Sequence, residues 1–260
     1  MLLVPAFEPA LRTKTPMAIF TPPPTVGPLQ VAAPDEGKSM LITREEIVLI
    51  TDPRGQVAEQ FRGLRNSIVA LNPEGAPRTV VMTSALRGEG KSVATVNLAL
   101  ALAEMPGTQV LVIDGNMHSP SIEELMCVPR RQGLSELLSG RLPPDQAIRA
   151  TSLPNVSLLG AGSASRNPSE LLASERMKTM LSTLKRRYNY VLIDTPEATT
   201  TSDASLLGAV ADGVVLVVRQ NTTPRQYVEQ AYNMLESLGA NVLGTLLTGA
   251  HLVDTARGKR

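Results

Sequence analysis

Four residues carry the first chemical signal. Gly88, Gly90, Lys91 and Ser92 close the run Val80-Val81-Met82-Thr83-Ser84-Ala85-Leu86-Arg87-Gly88-Glu89-Gly90-Lys91-Ser92. Polyphosphate oxygens are held best by backbone N–H groups converging on one concavity, and a helix N-terminus adds a favourable dipole. Glycines let the backbone turn and approach closely without a Cβ in the way. Lys91 supplies a mobile point charge for the β and γ phosphates, and the Ser92 hydroxyl is placed to ligate Mg²⁺. Gly88, Glu89, Gly90, Lys91, Ser92 and Val93 are the candidate nucleotide-binding residues. The spacing G-x-x-x-x-G-K-[ST] puts its first glycine at position 85, where this chain has Ala85; the Gly-x-Gly-Lys-Ser end is intact. The competing reading is a glycine turn between two core elements.

The loop needs elements to position it, and the flanking sequence supplies them. Val80 to Met82 is an apolar, β-branched run that reads as a buried strand, and from Ser92 onward Val93, Val96, Leu98, Leu100 and Leu102 recur among alanines as in a helix. Strand, glycine loop, Lys-Ser, helix is the layout of a phosphate-binding loop. Two further apolar runs end in a carboxylate: Gln109-Val110-Leu111-Val112-Ile113-Asp114 and Tyr190-Val191-Leu192-Ile193-Asp194. Ligands sit at the carboxyl ends of strands in open α/β sheets, so Asp114 belongs beside the loop, and Asp194 reads as a Walker B carboxylate that orients Mg²⁺.

The rest of the chain alternates. Residues 53 to 71 read as a helix with the apolar stripe Val57, Phe61, Leu64, Ile68 and Leu71. Glu59, Arg62 and Arg65 sit three apart on another side, either as a helical salt-bridge row or as a contact with a neighbouring subunit. Residues 132 to 150 read as short helices, 156 to 160 as a strand, 169 to 187 as one helix and 213 to 219 as a strand. A Pro-started helix over 224 to 238 and a last strand over 242 to 247 complete the pattern. The fold expected is an α/β P-loop NTPase with a mostly parallel, doubly wound sheet and helices on both faces. Residues 1–40 form a Pro-rich leader, 41–250 the domain and 251–260 a polar tail.

Composition narrows the function class. The 260 residues carry a net charge of +1, no Trp and 3% aromatics, which speaks against a nucleic-acid surface. One cysteine, Cys127, allows no internal disulfide and fits a reducing cytoplasm; His118 and His251 show no metal-ligand spacing. No apolar run reaches about 18 residues, the length of a spanning helix.

From about Glu59 to Leu247 the chain resembles the bacterial tyrosine kinases (BY-kinases) of capsule and exopolysaccharide synthesis, within the MinD/ParA-like P-loop ATPases. Five stretches carry the likeness: Glu59-Gln60-Phe61-Arg62-Gly63-Leu64-Arg65 as the E-x-x-R-x-x-R oligomerisation motif, Ser84 to Ser92 as Walker A, Leu111 to Asp114 as Walker A′, Asn167-Pro168-Ser169-Glu170-Leu171-Leu172 as N-P-x-E-L-L, and Val191 to Pro196 as Walker B, with Ser202-Asp203-Ala204 following. The resemblance implies an Mg-ATP-dependent cytoplasmic protein at the inner face of the membrane, forming rings or dimers beside a membrane-embedded polysaccharide chain-length regulator. Lys91 and Asp114 would be catalytic, Lys91 stabilising the transferring phosphate and Asp114 activating the attacking hydroxyl or holding metal. Ser92, Asp114 and Asp194 would form the metal set, and Glu59, Arg62 and Arg65 the oligomer contact.

The chain departs from the pattern in places. Asp114 is followed by Asn116 and His118 where a second acid and an arginine are usual, Glu197 stands where a second proline is common, and the last tyrosine is Tyr232 rather than one of a terminal cluster. These departures keep an ATP-dependent, non-kinase regulator as an alternative. A MinD/ParA-type positioning ATPase is the third reading, and Leu86 in place of the signature lysine argues against it.

Overall fold

Runs such as Val80-Val81-Met82 are apolar on successive residues because both faces of their sheet are covered. The computed structural model describes residues 3–4, 44–76 and 78–249; the rest of the leader and the polar tail read from the sequence lie outside the described residues. Eight strands form one sheet: β1 (Leu3–Val4), β2 (Arg78–Ser84), β3 (Val110–Asp114), β4 (Arg149–Ala150), β5 (Val156–Leu159), β6 (Tyr190–Asp194), β7 (Gly213–Arg219) and β8 (Val242–Thr248). Their order is β1-β8-β7-β2-β6-β3-β5-β4. β2, with the phosphate loop at its tip, lies centrally between β6 and β7, parallel to both. β3 joins β6 and β5 in parallel, and β8 extends the sheet beside β7. Among the described residues only the two-residue edge strands β1 and β4 run antiparallel. The doubly wound, mostly parallel P-loop sheet expected from the sequence is present.

The pleat sends alternate residues to opposite layers. Val80, Met82, Val110, Val112 and Leu192 face helices α1 (Val48–Thr51), α2 (Gln56–Ala70), α3 (Lys91–Ala103) and α4 (Ile122–Leu125). Val81, Leu111, Ile113, Val191 and Ile193 face α5 (Leu134–Leu138), α6 (Pro144–Ala147), α7 (Pro168–Leu172), α8 (Glu175–Leu184), α9 (Asp203–Val210) and α10 (Arg225–Ser237).

Three boundaries differ from the sequence reading. The helix expected from residue 53 starts at Gln56, because Gly55 has extended backbone (φ −71°, ψ 159°), and a separate turn, α1, precedes it. The single helix expected over 169 to 187 is two. Ser174 breaks it with extended backbone (φ −68°, ψ 152°) and caps α8 by accepting the Met177 N–H. Residues 149–150, expected in short helices, pair instead as the edge strand β4.

Candidate active site

The loop between β2 and α3 is built around two left-handed glycines, Gly88 (φ 82°) and Gly90 (φ 87°). Gly90 is the residue before α3, so no side chain caps that helix and the N–H groups of its first turn, Lys91 to Val93, are left for a ligand. Glu89 holds the loop in shape. Its buried carboxylate accepts the Leu86 N–H (2.7 Å) and the Arg219 N–H (3.3 Å) and receives the Thr223 hydroxyl, while its carbonyl accepts from the Thr248 hydroxyl (2.7 Å). The Glu89 side chain is thus a brace to the end of β7 and to Thr223, its carbonyl ties the loop to β8, and its backbone N–H is what remains for the task assigned to it.

Asp114 and Asp194 stand side by side, paired in register at the tips of β3 and β6. The register of this parallel pair, set by the apolar faces of both strands, is what brings the two carboxylates level. Gly115 follows Asp114 because its N–H donates to the Asp194 carbonyl at 2.8 Å, and a Cβ there would meet that same oxygen at 2.8 Å. Asp194 is fully buried; its Oδ2 accepts the Ser92 hydroxyl at 2.6 Å, and its Oδ1 has no partner among the described residues. Burial first and the neighbouring Asp114 second raise the Asp194 carboxyl well above the ordinary carboxylate range. Asp114 is also raised, by burial, against three backbone donors: Asn116 N–H to Oδ1 (3.1 Å) and Ser121 and Ile122 N–H to Oδ2 (both 3.0 Å). Asp114 therefore organises the turn into α4 as well as facing Asp194.

An orphaned carboxylate oxygen beside a serine hydroxyl is the donor set a hard cation requires. Ser92 and Asp194 fit Mg²⁺, which takes few protein ligands and completes its shell with water and phosphate oxygens. Among the described residues no group of three or more His, Cys, Asp or Glu could hold a metal by itself.

Lys91 is nearly buried, with its ammonium 3.7 Å from Glu197 Oε2. The segment carrying Glu197 is stitched to β2 and the loop: Thr195 N–H and hydroxyl to the Met82 carbonyl (both 3.1 Å), Thr83 hydroxyl to the Pro196 carbonyl (2.8 Å), Ala198 N–H to the Ser84 carbonyl (2.8 Å) and Thr199 hydroxyl to the Ala85 carbonyl (2.6 Å). An open cleft of about 600 Å³ runs over Lys91 and Ser92, between Arg87, Asn116, His118 and Glu197. A second recess, about 410 Å³, lies on the other side of Gly88 to Gly90 against Val57, Phe61, Arg219 and Leu247.

Sequence reasoning missed a hub at Asp203. This fully buried residue receives the Ser169 hydroxyl (2.5 Å) on Oδ1, and His118 Nε2 lies 3.1 Å from Oδ2. His118, the N-P-x-E-L-L segment and the Ser-Asp-Ala segment thereby meet at one carboxylate. The signal was present, since these residues lie in or beside the family-like motifs, but nothing in their spacing says that they touch.

The arginines of α2 are engaged within the chain. Arg62 donates to both Glu104 oxygens (2.8 and 2.6 Å), to Glu59 (2.6 Å) and to the Pro53 carbonyl (2.9 Å). Arg65 reaches Glu104 (3.1 Å) and the Ala101 carbonyl (3.2 Å). Glu104, at the end of α3, is held below its ordinary pKa by the Arg62 hydrogen bonds.

Fold and loop together define a P-loop nucleotide-binding protein. The ParA family model, described as NUBPL iron-transfer P-loop NTPase, matches residues 76–255. Tyrosine-protein kinase YwqD of Bacillus subtilis (strain 168) is 31% identical over 209 residues, covering 80% of this chain and 88% of that protein. The crystal structure of the chimerical protein CapA2B2 superposes with a TM-score of 0.73 at 33% identity, over 78% of this chain and 88% of that one. The kinase domain of the Escherichia coli tyrosine kinase ETK gives 0.76 at 27% identity, over 82% and 84%. The chain belongs to the bacterial tyrosine kinase family of ParA-type P-loop NTPases. No helix among the described residues is long and apolar enough to cross a membrane.

Proposed function

We propose that this protein binds Mg-ATP at the β2–α3 loop and transfers the γ-phosphoryl group to a hydroxyl, a protein tyrosine first of all, in capsule or exopolysaccharide synthesis. The observation that carries the reading is the convergence at one point of an uncapped helix N-terminus, Lys91, and a Ser92–Asp194 pair with one unpartnered carboxylate oxygen. The loop N–H groups and Lys91 bind the polyphosphate. Ser92 and Asp194 hold Mg²⁺, which supplies neutralisation of the charge on the phosphates. Asp114 fixes the α4 turn that walls the cleft and sets the charge felt by Asp194. The recess against Phe61 and Arg219 offers the base an apolar wall next to the loop.

The protein works in the cytoplasm, brought to the inner face of the membrane by a chain-length regulator, and assembles into homo-oligomers through Glu59, Arg62 and Arg65. Named tyrosine kinases among its relatives support phosphoryl transfer to tyrosine, and the E-x-x-R-x-x-R spacing supports the homo-oligomer. Asn116, where a second acid is usual, favours an ATP-gated regulator as the second reading. The test is phosphate transfer from labelled Mg-ATP, with and without the cytoplasmic segment of a chain-length regulator and with Lys91→Met as control. Lys91-dependent label on tyrosine is expected. ATP turnover with no labelled tyrosine selects the regulator, and a Lys91→Met protein that binds and turns over ATP like the parent refutes the site.

A further inference from the structure

The cleft contains one carboxylate with no structural duty. Of the two acidic residues that line it, Glu124 lies at the rim in an ion pair with Arg44 (2.6 Å), and Glu197 lies beside the phosphate lysine. Asp114 and Asp194 sit beneath the cleft floor, the first accepting three backbone N–H groups and the second bound to Ser92. Asn116, also in the cleft wall, accepts the Ser119 N–H (3.0 Å) and carries no charge. Glu197 is held by its neighbours rather than by its own side chain: Pro196, Ala198 and Thr199 are all tied to β2 or the loop, so its backbone cannot swing away. Apart from the 3.7 Å contact with Lys91, the described residues give its carboxylate no partner.

We infer that Glu197 takes the proton from the hydroxyl that attacks the γ-phosphate. In the free protein its carboxylate neutralises Lys91. When a triphosphate enters, the phosphate oxygens replace it as the partner of Lys91, and the displaced carboxylate faces the cleft from which an acceptor must approach. The acceptor O–H proton moves to Glu197, the acceptor oxygen bonds to the γ-phosphorus, the bond from that phosphorus to the β–γ bridging oxygen breaks, and the electron pair leaves on ADP. Arg87, His118 and Glu124 are the other charged or titratable groups facing this cleft. None of them is pinned against Lys91 as Glu197 is. The inference rests on the phosphoryl-transfer reading given above.

The experiment measures Mg-ATP affinity and single-turnover transfer in the full chain for the parent, Glu197→Gln and Lys91→Met, scoring free phosphate and protein-bound phosphate separately. Those two products distinguish water from a protein hydroxyl as acceptor. General-base loss lowers rates by about 10²–10⁴-fold. Glu197→Gln should therefore bind Mg-ATP as tightly as the parent or tighter, since Lys91 loses a competing anion, while turnover falls at least about 100-fold. Retained ATP binding also shows that the variant is folded. Turnover within about threefold of the parent would falsify the assignment. So would affinity falling in step with turnover. A parent that fails to bind Mg-ATP, a parent that binds it and transfers nothing, or a Lys91→Met protein that matches the parent instead removes the phosphoryl-transfer reading beneath the inference.

Discussion

Asp194→Asn should make the nucleotide-free protein more stable while removing Mg-ATP binding. Asp194 is fully buried and its Oδ1 has no hydrogen-bond partner among the described residues. A buried polar atom left unpaired costs about 1–3 kcal/mol, more when charged. Asparagine keeps an acceptor for the Ser92 hydroxyl; its amide nitrogen is as unpaired as Oδ1 but uncharged, so the gain comes from removing a buried charge and its repulsion from Asp114. A gain of about 1–3 kcal/mol corresponds to about 2–10 °C in a chain of this size. The sign follows from the raised Asp194 carboxyl. A group with its folded pKa raised contributes stability that is complete below its unfolded value, about 3.9, and lost as pH rises through the folded one. The variant's advantage is thus greatest at pH 8 and closes as the pH is taken toward 4. The assay is thermal unfolding of both proteins without nucleotide or metal at pH 8 and at pH 4–5, with Mg-ATP binding measured alongside. An Asp194→Asn protein that melts below the parent at pH 8 would refute the claim that this carboxylate is held against its own preference.

Three other variants, one of them double, test supports beside the site and elsewhere in the fold. Glu89→Ala leaves the buried N–H groups of Leu86 and Arg219 without their acceptor and should weaken Mg-ATP binding at least about tenfold; unchanged affinity in a binding titration would show that the loop keeps its shape without the brace. Arg62→Ala with Arg65→Ala dismantles the clamp on Glu104 and should lower stability by about 1–2 kcal/mol; on the oligomer proposal, sizing should also show a smaller species, and an unaltered size would confine these arginines to a role within one chain. Burial opposes ionisation of Glu136, but hydrogen bonds from Ser163, the Gly133 N–H and Ser135 hold its pKa down to about 2. Glu136→Gln should therefore lose at most about 3 kcal/mol at pH 7. That loss should shrink as pH falls below about 4 and vanish near pH 2; in denaturant melts, an equal loss at both ends would mean that packing and not charge is responsible.

The phosphate loop was legible because its chemistry is local: strand, two left-handed turns, lysine and helix are consecutive in sequence. Asp114 and Asp194 were legible as strand ends, and parallel register did the rest by bringing them level. What the sequence could not show are partnerships over long separations between residues of unremarkable type. Glu104 is an ordinary helix-end glutamate until α2 is laid against α3, and Arg62 finds it 42 residues away. Glu89 was read as a phosphate contact because of its place in the loop, yet its side chain points to acceptor duty for residues as distant as Arg219. The break at Ser174 illustrates a different limit. The apolar periodicity continues across it, and only the serine's ability to cap a new helix divides the segment.

Helix α3 begins at the phosphate lysine and ends at the acid that both arginines grip. At 13 residues it is a rod of about 20 Å. Its sheet-facing side is locked into the core, so a change at one end is carried to the other with little room to be absorbed locally. If a neighbouring molecule competes for Arg62 or Arg65, the freed Glu104 end of that rod and the nucleotide end answer to each other. Thermodynamic reciprocity then requires that whatever factor assembly adds to nucleotide affinity, the nucleotide returns to assembly. One short helix would make occupancy and self-association two readings of a single equilibrium.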